Sequence, residues 1–208
     1  NVKIESDNFI LFGDIIKIFF DKDLYDTKII DAVGNVKLVS SENNLKASGE
    51  KLFFIIADEE ILIEGLNSKL ITKDTIMLSD GKINVNNLKG DFYLNGPNSR
   101  LESENIIIKG REIDGVFSTN TEVKEIIFLD VYDEKIAYVN DNETEMYANK
   151  IKYNEKTSLI ELENNVKIIS DGETITGDYG TLDTKTNSYK IKSKDSKRVR
   201  VIISNTDE

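Results

Sequence analysis

The sequence predicts an all-β fold on three observations. Apolar and polar residues alternate in short runs from end to end, one long stretch occurs twice in the same register, and turn-forming residues recur at a near-constant interval. The alternation is plainest in SLIELENNVKII, where Ile160, Leu162, Val166 and Ile168 share one face and Glu161, Glu163 and Lys167 the other. The stretch YKIKSKDSKRVRVII repeats the design. It places Tyr189, Ile191, Val199, Val201 and Ile203 inward and Lys190, Lys192, Arg198 and Arg200 outward. Helical periodicity is hard to find anywhere.

The second observation is the pair NVKLVSSENNLKASG, from Asn35, and NVKIISDGETITGD, from Asn165. They align without a gap, Val36 on Val166, Leu38 on Ile168, Leu45 on Ile175, Leu52 on Leu182 and Ile61 on Ile191, as two copies of one supersecondary unit. Between the copies NSKL at Asn67 is echoed by NSRL at Asn98, so the middle is expected to be more of the same. The third observation is the spacing of Gly34, Gly49, Gly65, Gly81, Gly96 and Gly110. They fall about fifteen residues apart, close to two short strands with their turns. Beyond Gly115, clusters of Asn and Asp take over, residues that tolerate left-handed turns. The single proline, Pro97, and the lack of a Pro/Ser/Gly linker make residues 1–208 read as one elongated domain of repeated short strands.

Composition removes most reactive chemistry. Cys, His and Trp are absent, which excludes a thiol nucleophile, a histidine base, disulfides and zinc sites of the Cys/His kind. A net charge of −11, from 38 acids against 27 bases, opposes binding to a nucleic-acid backbone. The longest apolar run, LFFIIA at Leu52, is far shorter than the ~20 residues of a membrane-spanning helix. The chain starts at Asn1 without a basic or apolar leader, so an export signal or anchor is expected upstream of it.

The acidic clusters DKDLYD at Asp21 and NDNETE at Asn140 lack the ligand spacing of a calcium loop and read as solvated turns. No metal site is expected. With 38 acids, sequence spacing cannot single out a glycosidase pair, and GDFYLNG and GDYGTLD lack the lysine and following helix of a phosphate loop. No catalytic residue and no cofactor are assigned. KDSKRVRVII, a cationic strand in an acidic chain, reads as a sheet edge guarded by charge or as an edge that meets a partner.

Taken together, Ile4, Glu5, Ser6 and Asp7, then Gly34-Asn35-Val36, Ala148, Asn165-Val166, Ile175, Gly177 and Asp178, and finally Lys197-Arg198-Val199 resemble the LptA/OstA-like lipopolysaccharide-transport family. Most of the chain takes part. Two features depart from the pattern: residues 72–120 are longer than that family's domain needs, and Asn164 stands where the first copy has Gly34. The length leaves room for an extra rung or for the anchored LptC type.

The resemblance implies a twisted, open β-jellyroll of two antiparallel sheets in the periplasm that shields lipopolysaccharide acyl chains. It also implies other transport components as partners through edge-to-edge strand addition, with head-to-tail self-association. A dry slot suits that task, because at roughly 0.8 kcal/mol per methylene an acyl chain of about a dozen carbons carries on the order of 10 kcal/mol of transfer free energy. The residues expected to line it are Ile18, Val36, Leu38, Leu45, Leu52, Ile61, Ile63, Ile151, Leu162, Val166, Ile168, Ile175, Ile191, Val199 and Val201. Those expected at the edges are Val2, Ile4, Arg198, Arg200 and Ile202. Two other readings stand beside this one: a β-solenoid-like surface or scaffold module with a closed core, and a carbohydrate-active enzyme.

Overall fold

The computed structural model describes residues 2–6, 9–22, 26–41, 44–103, 106–119, 125–141, 143–186, 188–193 and 199–203. Seventeen strands and no helix occur among them. The first nine are β1 (Val2–Glu5), β2 (Phe9–Gly13), β3 (Ile15–Phe20), β4 (Thr27–Ser40), β5 (Leu45–Ile55), β6 (Glu60–Glu64), β7 (Ser68–Ile71), β8 (Thr75–Ser79) and β9 (Lys82–Asn86). The rest are β10 (Asp91–Ser103), β11 (Ile106–Phe117), β12 (Ile126–Asn140), β13 (Thr144–Asn154), β14 (Leu159–Ser170), β15 (Glu173–Asp183), β16 (Ser188–Lys192) and β17 (Arg200–Ile203).

The long strands serve two layers. β4 pairs with β3 through Thr27–Val33 and with β2 through Lys37–Ser40, so its two halves belong to different sheets. β5 divides its pairing between β7 and β6, β10 between β8 and β9, and β15 between β17 and β16. Register breaks at Val33/Val36, Asn95/Ser99, Lys109/Glu112, Tyr132/Ala137, Tyr147/Lys150 and Glu163/Val166 mark where each strand bends from one layer to the other. Layer I thus runs from β3 through β6 and β9 to β16. Layer II runs from β1 through β7 and β8 to β17. Every pairing is antiparallel, and the layers join along a seam of bends and part on the other side.

The seam explains the spacing of the glycines. Two half-strands and the turn between them carry the chain from seam to open side and back, so a residue suited to the bend is needed once per crossing. At the first crossing Gly34 and Asn35 have φ of 80° and 50°, and at the corresponding point of the second copy Asn164 and Asn165 have φ of 61° and 56°. Asn164 does the work of glycine because asparagine tolerates the left-handed region better than other non-glycine residues. The echoed Asn67 and Asn98 also lie on this line, with φ of 55° and 58°, and both bind Asp80. The Asn67 backbone N–H donates to Oδ1 at 2.9 Å and the Asn98 side-chain amide to Oδ2 at 2.6 Å. These two donors, the Asn98 amide foremost, hold the Asp80 carboxyl below its usual pKa.

The core lies between the layers and tapers toward the seam. Next to the bends the inward residues are small, among them Gly49, Ser79, Ser99, Gly110, Ala137, Ala148 and Gly177, and Ser79 and Ser99 share a buried 3.0 Å hydrogen bond. Farther out the inward files are aliphatic and aromatic. That gradient is what two sheets diverging from a common fold line require.

Candidate functional site: the space between the layers

Cross-strand register lets the inner wall be followed file by file. In layer II one file runs Ile4, Leu11, Leu38, Ala47, Leu70, Met77, Leu101, Ile108, Val139, Met146, Ile168, Ile175, Val201, and every member is apolar. In layer I the facing file from Ile16 through Leu52, Ile63, Leu94, Val131 and Leu162 to Ile191 is equally apolar. Midway along, the side chains are fully covered, Ile63, Leu94, Leu101, Ile108 and Val131 among them. Toward both ends of the layers cover is lost. Ile4 and Ile18 are half-buried at one end, and Ile175 and Ile191 at the other.

Of the residues expected in the slot, Val36, Leu38, Leu52, Ile61, Ile63, Ile151, Leu162, Val166 and Ile168 are buried in one continuous cluster. Leu45 packs against that cluster half-buried, as Ile191 does. Val199 and Val201, also expected to line the slot, are 40% and 53% exposed. Val201 lies opposite Ile175 on the inward side, but β17 is the last strand of its layer and nothing beyond it covers the side chain. Of the edge residues, Val2 and Ile4 lie on β1 and Arg200 and Ile202 on β17, and each of these strands pairs with a single partner among the described residues. Arg198 falls outside the described residues.

Two cavities open between the layers on the side away from the seam. The first, about 440 Å³, is mainly apolar. Leu45, Leu70 and Met77 of layer II face Phe54, Ile61, Val85 and Phe117 of layer I across it, with Lys73 and Asp74 at its rim. In its wall the Thr75 hydroxyl is buried and has no hydrogen-bond partner. The second, about 550 Å³, lies near the last strands among Ile168, Ile175, Leu182 and Tyr189, under Asp141, Glu143, Asp171 and Glu173.

Sequence reasoning missed Phe54, Leu70, Met77, Val85 and Phe117. Phe54 could have been found, since it has the parity of Leu52. The others lie where the two-copy alignment offers no partner, so nothing fixed their facing. Among the described residues no cluster of Asp or Glu has a metal-binding arrangement.

The molecule is thus an open, two-layered β-jellyroll whose inner walls each carry an unbroken apolar file. The family described as "LptA/(LptD N-terminal domain) LPS transport protein" matches residues 71–188, more than half of the chain, and the chain belongs to it. The match begins at the end of β7 and takes in the region 72–120, whose strands β8 to β11 continue both layers without interruption. Among solved structures, LptH, the LptA homologous periplasmic component of the lipopolysaccharide transport device from Pseudomonas aeruginosa, is similar at 16% identity. The similarity covers 62% of this chain and 94% of that one, with a TM-score of 0.49. No curated protein matches the chain.

Proposed function

We propose that this chain, acting as one continuous jellyroll in the periplasm, holds lipopolysaccharide acyl chains between its layers and passes the lipid from the inner toward the outer membrane. The supporting observation is the pair of unbroken apolar files, one in each layer and neither with an ionisable side chain, beside the cavity bounded by Leu45, Phe54, Met77 and Phe117. Hydrocarbon gains most where water is excluded and gains nothing from polar walls. Lys73, beside Asp74 at the rim of this mouth, offers one cation to an anionic headgroup. The passage itself is passive, with energy supplied by another component. The strands β1 and β3 at one end, and β16 and β17 at the other, each with a single partner among the described residues, offer backbone groups for strand addition to further copies or to other components.

A photo-crosslinking residue at Ile175, which is inward and half-buried, is expected to label lipopolysaccharide, and one at Lys51, which points outward on layer I, is not. Equal labelling at the two positions would sink the slot. Purified protein that yields no lipid to mass spectrometry would favour the closed scaffold instead.

A further inference from the structure

The face of layer II that points away from the slot carries a charge pattern unlike the rest of this acidic protein. Directly opposed residues on successive strands form a file from Lys3 on β1 to Arg200 on β17, and no carboxylate occurs in it. Lys3 and Arg100 are held by Glu5 and Glu102. Lys37, Lys69, Lys109, Lys167 and Arg200 make no ion pair among the described residues. Tyr138 and Tyr147 meet in mid-file with ring centroids 4.9 Å apart and planes inclined by 51°, capped by Lys109 at 5.1 Å and Lys167 at 5.3 Å. The next file toward the open side, two residues along each strand, mixes branched aliphatic residues with three carboxylates, Glu5 and Glu102, which hold Lys3 and Arg100, and Glu145, which accepts a hydrogen bond from the Tyr147 hydroxyl. Ile71, Ile76, Ile107 and Ile169 are partly exposed in it, and Ile202 is 52% exposed.

We propose that this outer face of layer II lies against an anionic membrane surface. A sheet face with lysines in one line and exposed aliphatic side chains in the next matches a headgroup layer, where phosphates meet the cations and the apolar groups reach the acyl boundary. An acidic polysaccharide fits less well, because the faces of Tyr138 and Tyr147 that would stack on sugar rings are covered by Lys109 and Lys167, and the isoleucine file would have no partner. The net charge of −11 does not prevent the contact. Layer I stands about 10 Å behind, and at physiological ionic strength charges are screened over roughly 8 Å. The proposal concerns the face opposite the slot and stands apart from what the slot holds.

The test is flotation of the full chain with vesicles of phosphatidylcholine, with or without about one-third phosphatidylglycerol. Binding is expected only to the anionic vesicles and is expected to weaken with salt. The triple substitution Lys37→Gln, Lys69→Gln, Lys167→Gln on this face is expected to reduce it by about a hundredfold, near fivefold per cation. The matched triple Lys17→Gln, Lys51→Gln, Lys192→Gln on layer I is expected to leave it unchanged, with circular dichroism used to check that both variants fold. No binding to anionic vesicles, equal loss in the two triples, or displacement of the vesicles by a soluble acidic polysaccharide that binds more tightly would each overturn the proposal. Lipopolysaccharide crosslinking at Ile175 reports on the slot and is expected to survive the layer II triple, which keeps the two readings separable.

Discussion

Asp114 is a carboxylate in an unfavourable place. On the outer face of layer I it lies directly across from Asp130, which is itself drawn to Lys150 at 3.4 Å and Lys152 at 3.6 Å. Partial burial first, then repulsion from Asp130 and Asp91, raise its pKa above the usual carboxylate value. The folded chain therefore holds this proton more tightly than the unfolded chain, and ionisation opposes folding. The penalty is fully present above the folded pKa and disappears as pH falls to the unfolded value. Solvent screening keeps it to a few tenths of a kcal/mol. Asp114→Asn is expected to gain about 0.3 kcal/mol in urea unfolding at neutral pH and nothing near pH 3. None of this was legible in the sequence, where Asp114 and Asp130 are one pair among many acids. The reverse holds for Asn67 and Asn98. Their echo was visible, but Asp80, which ties them together, was not, since a carboxylate between two repeats bears no mark of what it binds.

At the scale of the element, each long strand, and each short pair such as β8 and β9, passes from one layer to the other at a point where backbones converge. Gly81 makes the constraint explicit. A Cβ there would be driven into the carbonyl oxygen of Asn95 and would sit 3.1 Å from the Cα of Gly96, main-chain atoms that no side-chain rotation can clear. Gly81→Ala is expected to destabilise the fold by about 2 kcal/mol, read as a lower urea midpoint at unchanged slope. If stability were unchanged, the seam would be looser than this packing implies. The interval of about fifteen residues was thus readable as a repeat before its meaning was known, because the bend restricts residue type once per crossing. Val199 and Val201 show the limit of the same logic. Alternation tells which way a side chain points, but cover depends on how many strands follow, and that is a property of the whole layer.

For the molecule as a whole, the direction of the outermost strands sets how copies could join. All pairings are antiparallel, so following layer II strand by strand from β1 leaves β17 running the same way as β1, while in layer I β16 runs opposite to β3. Stacked end to end, one copy's β16 would meet the next copy's β3 as an antiparallel pair, and β17 would meet β1 as a parallel one. Antiparallel pairing is the slightly more stable of the two per residue, so layer I should dominate the contact. The absence of cysteine makes this testable without background. With Lys17→Cys on β3 and Lys190→Cys on β16 in one chain, a short bismaleimide is expected to give a ladder of covalent oligomers that lengthens with protein concentration. Either single variant cannot exceed a monomer, because in a head-to-tail contact its one thiol never faces its own kind. A dimer from a single variant would instead mean a two-fold contact, which closes on itself and leaves no continuous wall for an acyl chain to follow from one copy to the next.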